Sequence, residues 1–157
     1  MSIPGFKDEW ARAAIFAARE STCAKSRRGA ALVHPEDLDK IFVASNGPPK
    51  KFKCTGSGAC RDNCNKVAVH AEERLLIRHG NMASGFHLVH AKVDEHNELV
   101  SSGPPSCWQC SRMIVEAEID WVWLYSFGFG NKWIPYQATE FHELTLEHNG
   151  LPTVRTF

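Results

Sequence analysis

Hydrophobic and polar positions follow two periods along the chain, and the change from one period to the other predicts the secondary structure. Residues 7–20 carry small and apolar side chains at every third or fourth position, which is the spacing of an amphipathic helix. Residues 29–34 and 40–45 are apolar stretches joined by the turn-like sequence PEDLD, which predicts two strands. Residues 46–66 show neither period and are predicted as loop.

The second half of the chain alternates between helix and strand. Further helices are predicted over 70–80, 107–119 and 139–150. Further strands are predicted over 86–93, 120–126 and 151–157, and a glycine-rich loop over 127–136. Because strands alternate with helices, we expect one layered α/β domain over 1–157 with crossover connections.

Composition narrows the class of protein. The 157 residues suit one domain, and 18 basic side chains balance 18 acidic ones, so the chain lacks the basic surplus typical of polynucleotide-binding proteins. No apolar run approaches the ~20 residues needed to span a bilayer, and no secretory signal is expected at the N-terminus. We therefore expect a cytoplasmic protein whose six cysteines stay reduced, which favours metal binding or catalysis over disulfides.

One histidine and two of these cysteines have the spacing of a metal site. His70 begins one predicted helix, and Cys107 and Cys110 begin another as a Cys-x-x-Cys pair. Two thiolates at a helix start lie on one side of a metal, and the helix dipole favours their anionic form. Zinc accepts imidazole and thiolate ligands, and a catalytic zinc site leaves a fourth position open.

Glu72 adds an acid–base group to this site. It follows His70 by two residues, which takes it off the ligand position but keeps it close. Each of the two motifs has other interpretations when taken alone. His-x-Glu can be an ordinary helix start, and Cys-x-x-Cys can be a structural zinc site, a redox pair or a buried helix face. Together, His-x-Glu and Cys-x-x-Cys form the signature of zinc deaminases, in which the carboxylate moves protons while zinc activates water.

These motifs resemble the cytidine deaminase-like superfamily and, within it, the deoxycytidylate (dCMP) deaminases. The resemblance extends from Glu20 to the C-terminus and is carried by five segments: ESTCAKSRRGAALV (20–33), SNGPP (45–49), VHAEERLL (69–76), SCWQCSRMIVEAEIDWVWLY (106–125) and LTLEHNGLPTVRTF (144–157). It implies a three-layer α/β/α fold, in which a mixed five-stranded sheet has helices on both faces. The two zinc motifs would begin two helices on one face.

The resemblance also implies roles for individual residues. It implies that Glu72 is the acid–base residue, that Asn46 hydrogen-bonds the sugar, and that Ala71 lines the base together with Glu72. Ser106 stands where the family usually has proline, at the position whose carbonyl often receives the leaving amine.

Other substrate contacts are predicted from position. Trp133 lies in the glycine-rich loop and is the candidate to stack on a base. Lys25 and Arg27, with their neighbour Arg28, lie between the first helix and the first strand and can meet a 5′-phosphate. A solvated turn is the alternative for this basic segment.

The remaining cysteines suggest a second metal. Some dCMP deaminases carry a structural zinc bound by a cysteine of the Ser-Thr-Cys segment and another after the Asn-Gly loop. Carried over, these positions are Cys23 and Cys54, and Cys60 and Cys64 can complete a four-thiolate site. Four separate thiols are the alternative.

The sequence thus predicts zinc-dependent hydrolytic deamination of a cytosine-type base in a free deoxynucleotide, from dCMP to dUMP and ammonia. One alternative is a deaminase of cytosine in single-stranded DNA or of adenosine in RNA, which acts on a flipped base. Others are a deaminase of a free base or nucleoside and a catalytically silent zinc-stabilised module. We expect a homo-oligomer with a small-molecule nucleotide as partner, nucleic acid being less favoured, and no membrane association.

Overall fold

A computed structural model of the protein describes residues 2–58, 63 and 67–153. The helices within these ranges are α1 (Asp8–Arg19), α2 (Ala71–His79), α3 (Trp108–Glu116) and α4 (Ala138–His148), and a 3₁₀ turn follows α2 at Gly80–Met82. The strands are β1 (Arg27–His34), β2 (Asp37–Ser45), β3 (His87–Val93), β4 (Leu99–Val100), β5 (Trp121–Ser126) and β6 (Lys132–Gln137). None of the described helices is both long and apolar enough to cross a bilayer.

The strands form one mixed sheet in the order β2-β1-β3-β5-β6, and β4 pairs with the end of β3. Strand β1 is antiparallel to β2 and to β3, and β5 is antiparallel to β6. The central pair of β3 and β5 is parallel, which requires a crossover connection, and α3 lies in that connection. The mixed sheet therefore follows the predicted topology class.

Alternating side chains give the sheet two apolar faces. On one face, α1 packs through Trp10, Ala14 and Ala18 against strand residues Ala31, Val33, Val89, Ala91, Trp121 and Trp123. On the other face, α2, α3 and α4 pack through Leu75, Ile114 and Phe141 against Ala30, Leu32, Leu88, Val122 and Leu124. The structure therefore has the predicted three layers.

The close approach of α1 to β1 depends on Gly29. A Cβ added at Gly29 would stand 2.5 Å from the carbonyl oxygen of Ala14, well inside van der Waals contact. Glycine at this position therefore lets the helix lie directly on the strand.

The sheet differs from the prediction at β4, which was not predicted, at β6 and at the C-terminal segment. The loop predicted over 127–136 contains most of β6, which pairs with β5 from Trp121↔Gln137 to Ser126↔Lys132. Pro135 weakens the strand pattern, but β6 is an edge strand, where proline is tolerated. The strand predicted over 151–157 is not seen at residues 151–153, and residues 154–157 lie outside the described part of the chain.

Candidate active site

The starts of α2 and α3 bring the three predicted zinc ligands to one point. His70 is the N-cap of α2 and Cys107 is the N-cap of α3. The Nδ1 atom of His70 lies 3.2 Å from each of the two sulfur atoms, and the Sγ atoms of Cys107 and Cys110 are 3.1 Å apart. These three side chains form a group that can hold a metal ion.

Local hydrogen bonds fix both helix starts. Backbone bonds between Gly47 and Val69, of 3.1 and 2.8 Å, hold the segment before His70 against the end of β2. The Glu73 carboxylate accepts the backbone N–H of His70 at 3.1 Å, and the Cys107 sulfur accepts the backbone N–H of Cys110 at 3.4 Å. The ligands are therefore held by the caps of the helices that carry them.

The three candidate ligands shift one another's pKa values through their hydrogen bonds and charges. Hydrogen bonds with Cys110 and, to a lesser extent, His70 lower the pKa of Cys107 to about 5 against the opposing effect of burial. The hydrogen bond between the two cysteines, together with burial, raises the pKa of Cys110. The hydrogen bond with Cys107 raises the pKa of His70 to about 9 although burial opposes it. Since zinc prefers imidazole and thiolate donors and displaces their protons, this donor set fits a zinc ion.

Glu72 lies buried beside this group in the first turn of α2, only 9% exposed. Its Oε2 atom is 3.8 Å from the Cys110 sulfur, and its Oε1 atom is hydrogen-bonded to Nδ1 of His90. Burial alone would raise the pKa of Glu72, but the neighbouring His90, which is hydrogen-bonded to it, outweighs burial and lowers the pKa to about 2. Glu72 is therefore an anion next to the metal-binding group.

A cavity of about 640 Å³ opens onto Glu72 and the three ligands. Its size is that of small-molecule sites, which span roughly 300–1,000 Å³. Four of the predicted substrate contacts line it: Lys25, Asn46, Ala71 and Ser106.

The side chain of Asn46 holds the segment before β1 in place. Its Oδ1 accepts the backbone N–H of Arg28 at 2.8 Å and the hydroxyl of Ser21 at 2.6 Å. Its Nδ2 donates to the carbonyl of Ser26 at 2.7 Å, which leaves one Nδ2 hydrogen for other partners. Asn46 thus has a structural role here, and its contact with the sugar stays a prediction.

Two predicted substrate contacts lie elsewhere. The Arg27 guanidinium donates to the carbonyl of Arg19 at 2.5 Å, and its neighbour Arg28 lines the cavity instead. Trp133 stacks on Phe6 on the α1 face of the sheet, with ring centroids 5.0 Å apart, so it does not reach the cavity. The tryptophan that lines the cavity is Trp108, partly exposed at the start of α3.

The predicted second zinc site is described only in part. Cys23 is buried, and the backbone N–H of the next residue, Ala24, donates to the Cys54 sulfur at 3.3 Å. The segments that carry Cys23 and Cys54 therefore lie side by side. Cys60 and Cys64 lie outside the described residues, and the four-thiolate site stays a prediction.

Sequence reasoning did not select three further residues of the cavity, namely His90, Lys92 and Ser102. His90 and Lys92 follow Leu88 at alternate positions of β3. This period places the side chains of Leu88, His90 and Lys92 on one face of the strand. The alternation was available as a signal, but only the strand order shows that this face meets α2 and α3.

Comparison with solved structures supports the fold. The chain is similar to the apo crystal structure of a dCMP deaminase from the cyanophage S-TIM5, with a TM-score of 0.53 and 22% sequence identity. The match covers 74% of this chain and 82% of that chain. No family model and no curated protein matches the sequence. The likeness confirms the predicted three-layer α/β fold, which this chain shares with that structure.

Proposed function

We propose that this protein is a zinc-dependent hydrolytic deaminase that converts dCMP, or a closely related free deoxynucleotide, to its uracil counterpart and ammonia. The observation that carries the proposal is the convergence of His70, Cys107 and Cys110 within 3.2 Å of one another, with the Glu72 carboxylate buried beside them. A purely structural zinc site has no use for such a carboxylate. When bound, zinc would supply hydroxide from water near neutral pH.

Glu72 would supply the proton transfers. Hydrolytic deamination adds water at C4 of the base, adds a proton to N3 and releases the amine as ammonia. The anionic carboxylate is the form that accepts a proton from the attacking water, and it can then pass protons to N3 and to the departing amine. Its Oε2 atom is the one that contacts a ligand, 3.8 Å from the Cys110 sulfur.

Two cations in the cavity support a phosphate-bearing substrate. Arg28 and Lys92 are direct partners across β1 and β3, and both line the cavity. Like charges at such positions destabilise a sheet, and burial and the Arg28 charge together lower the pKa of Lys92. Among residues 2–58, 63 and 67–153, no carboxylate forms a salt bridge with either cation.

Ser102 adds a hydroxyl to this pair. Its Oγ atom is buried without a hydrogen-bond partner in the described structure, and Ser102 lines the same cavity. Two uncompensated cations and an unpaired hydroxyl suit an oxyanion such as a phosphate monoester. This arrangement favours a nucleotide over a nucleoside or a free base.

The test is ammonia release across dCMP, dCTP, deoxycytidine, cytidine, cytosine, guanine and a cytosine-bearing single-stranded DNA. We expect the highest kcat/KM with a free deoxynucleotide. The DNA is included because Trp108, with the Arg112 guanidinium 4.9 Å from its ring centre, offers a stacking surface at the cavity. If the DNA were turned over faster than every free nucleotide, the proposed substrate would be wrong and single-stranded DNA would take its place.

Lys92→Met tests the phosphate contact separately. A hydrogen bond to a charged group contributes about 1.5–3 kcal/mol, so we expect kcat/KM for dCMP to fall about 10- to 150-fold. Activity on deoxycytidine should change little, because it has no phosphate. The matched control is Lys40→Met, an exposed lysine on β2. An equal loss on both substrates would refute the phosphate contact.

A further inference from the structure

We infer that Arg28 and His90 form a hydrogen-bond relay that positions Glu72, in which one carboxylate oxygen is anchored and the other is kept for chemistry. The inference rests on the proposed function, because His90 and Arg28 would act through Glu72. His90 is therefore a positioning residue.

The contacts of His90 define the relay. Its ring is 6% exposed and projects from β3, a central strand between β1 and β5. Nδ1 is hydrogen-bonded to Oε1 of Glu72, and Nε2 lies 3.1 Å from Nη1 of Arg28. Both ring nitrogens are thus engaged, one by an anion and the other by a cation.

Arg28 is itself held at two further points. Its Nε donates to the hydroxyl of Ser26 at 3.1 Å, and its Nη1 donates to the carbonyl of Ser102 at 3.3 Å. The two hydrogens of Nη1 are therefore shared between Ser102 and His90. The relay is fixed by the segment before β1 at one end and by α2 at the other.

The partners determine which ring nitrogen carries the hydrogen. A guanidinium only donates and stays protonated, so Nε2 of His90 must be the bare, accepting nitrogen. A carboxylate only accepts, so the hydrogen of the neutral ring lies on Nδ1 and points to Glu72. A ring protonated on both nitrogens would set one N–H against the donors of Arg28. The bonds therefore run in one direction, from Arg28 to His90 to Glu72.

This direction gives the two oxygens of Glu72 different roles: Oε1 is held by His90, and Oε2 is available for proton transfer. A terminal carboxylate rotates over a broad two-fold range unless a partner holds it. His90 holds Oε1, so Oε2 remains directed at Cys110, 3.8 Å from its sulfur. Since a misplacement of about 1 Å can lower the rate about 10²-fold, loss of this bond should reduce kcat rather than substrate binding.

Three substitutions at His90 separate the two ring nitrogens. In His90→Asn, the side-chain amide can donate from the place of Nδ1 and still hold Oε1. In His90→Gln, the amide reaches the place of Nε2 and leaves Oε1 unheld, and in His90→Leu both contacts are lost. With zinc-loaded proteins of equal metal content, we expect kcat for dCMP to fall less than about 10-fold for Asn and about 10²-fold for Gln and Leu, with KM little changed.

The matched control is His87→Asn, which makes the same change on the opposite face of β3. It should leave kcat unchanged. Wild-type kcat in His90→Gln, or an equal loss in His90→Asn and His90→Gln, would overturn the relay.

A second measurement does not depend on activity. Long-range ¹⁵N–¹H NMR of histidine-labelled protein reports which ring nitrogen carries the hydrogen, and His90→Asn identifies the signals of His90. We expect hydrogen on Nδ1 and a bare Nε2 in the wild type and in Glu72→Gln, whose amide oxygen still accepts. In Arg28→Met, the hydrogen should stay on Nδ1, because Glu72 still accepts it, while the Nε2 signal should shift because its donor is lost.

The two measurements separate the relay from the proposed function. Hydrogen on Nε2 in the wild-type protein would overturn the relay whatever the enzyme does. Absence of ammonia release from every substrate, with hydrogen found on Nδ1, would instead count against the deaminase and leave the hydrogen-bond relay in place.

Discussion

His87 and His90 lie three residues apart on β3, yet they face opposite sides of the sheet and have opposite surroundings. His87 is 3% exposed among the aromatic side chains of the α1 face, where the Trp123 indole donates to its Nδ1 at 3.3 Å. His90 is equally buried but lies between a guanidinium and a carboxylate. The comparison shows that burial alone does not distinguish a packing histidine from one that can serve a site.

The difference extends to the two faces as wholes. The α1 face is filled by rings: Phe6 contacts Trp10, Trp123 and Trp133. The opposite face has its own apolar core, but part of it borders a cavity of about 640 Å³ lined by the ligands, Glu72 and two cations that have no carboxylate partner among the described residues. We therefore expect substitutions of the polar residues that line the cavity to change chemistry more than stability, and those of the aromatic residues on the α1 face to do the reverse.

The largest effect on activity should follow loss of the metal. Cys107→Ser removes one of three donors, so we expect the catalytic zinc to be lost and ammonia release to fall to the level of a control without protein. Metal analysis together with the activity assay measures both. If the second site exists, the wild type should carry two zincs per chain, and Cys23→Ser should lose the other one and unfold more easily.

Retention of all zinc in Cys107→Ser would contradict the ligand assignment. A stoichiometry of one zinc in fully active, freshly purified wild-type protein would exclude the second site.

A nearly equal effect is expected for Glu72→Gln, without loss of metal. Removing a general acid–base residue lowers rates about 10²- to 10⁴-fold, and Glu72 would serve several steps, so turnover should fall to the upper end of that range or beyond. Glutamine keeps the size and can still accept the His90 hydrogen bond, so zinc content and melting temperature should be retained. The control is Glu116→Gln, an exposed glutamate at the end of α3. Turnover above about a tenth of wild type would refute the acid–base role.

The sequence predicts the ligand set because its signals are short and local. His70, Glu72, Cys107 and Cys110 occur as two motifs at helix starts, and each motif needs only a few neighbouring residues to place it. The layered α/β class follows from the local periods, and the three-layer arrangement from the resemblance that these motifs carry. These parts of the site do not depend on knowing which strands are neighbours.

The residues that sequence reasoning missed depend on contacts between distant segments. His90 meets Glu72 because β3 pairs with β1, one of the two strands on which α2 lies, and Arg28 meets Lys92 through the same pairing. The glycine-rich sequence before Trp133 predicts a loop residue that can stack on a base. Its place in β6 instead directs it towards Phe6 on the other face. Pairing register, which one sequence does not specify, decides all three positions.

The smallest effect concerns the pH dependence of stability, and it comes from the α1 face. Burial lowers the pKa of His87 to about 4 from 6.5, with Lys7 and His34 acting in the same direction and Asp120 against them. Between those values the unfolded chain binds a proton that the folded protein does not, so stability falls as the pH drops below 6.5.

From pH 7 to pH 5 the loss from this one group should be on the order of 2 kcal/mol. His87→Asn keeps an acceptor near Trp123 but cannot titrate, so it should lose less stability than the wild type between pH 7 and pH 5. Urea unfolding of both proteins at the two pH values measures the difference, in which the titrations common to both cancel. Equal losses in wild type and variant would show that His87 is not held neutral, and the contrast with His90 would then lose its basis.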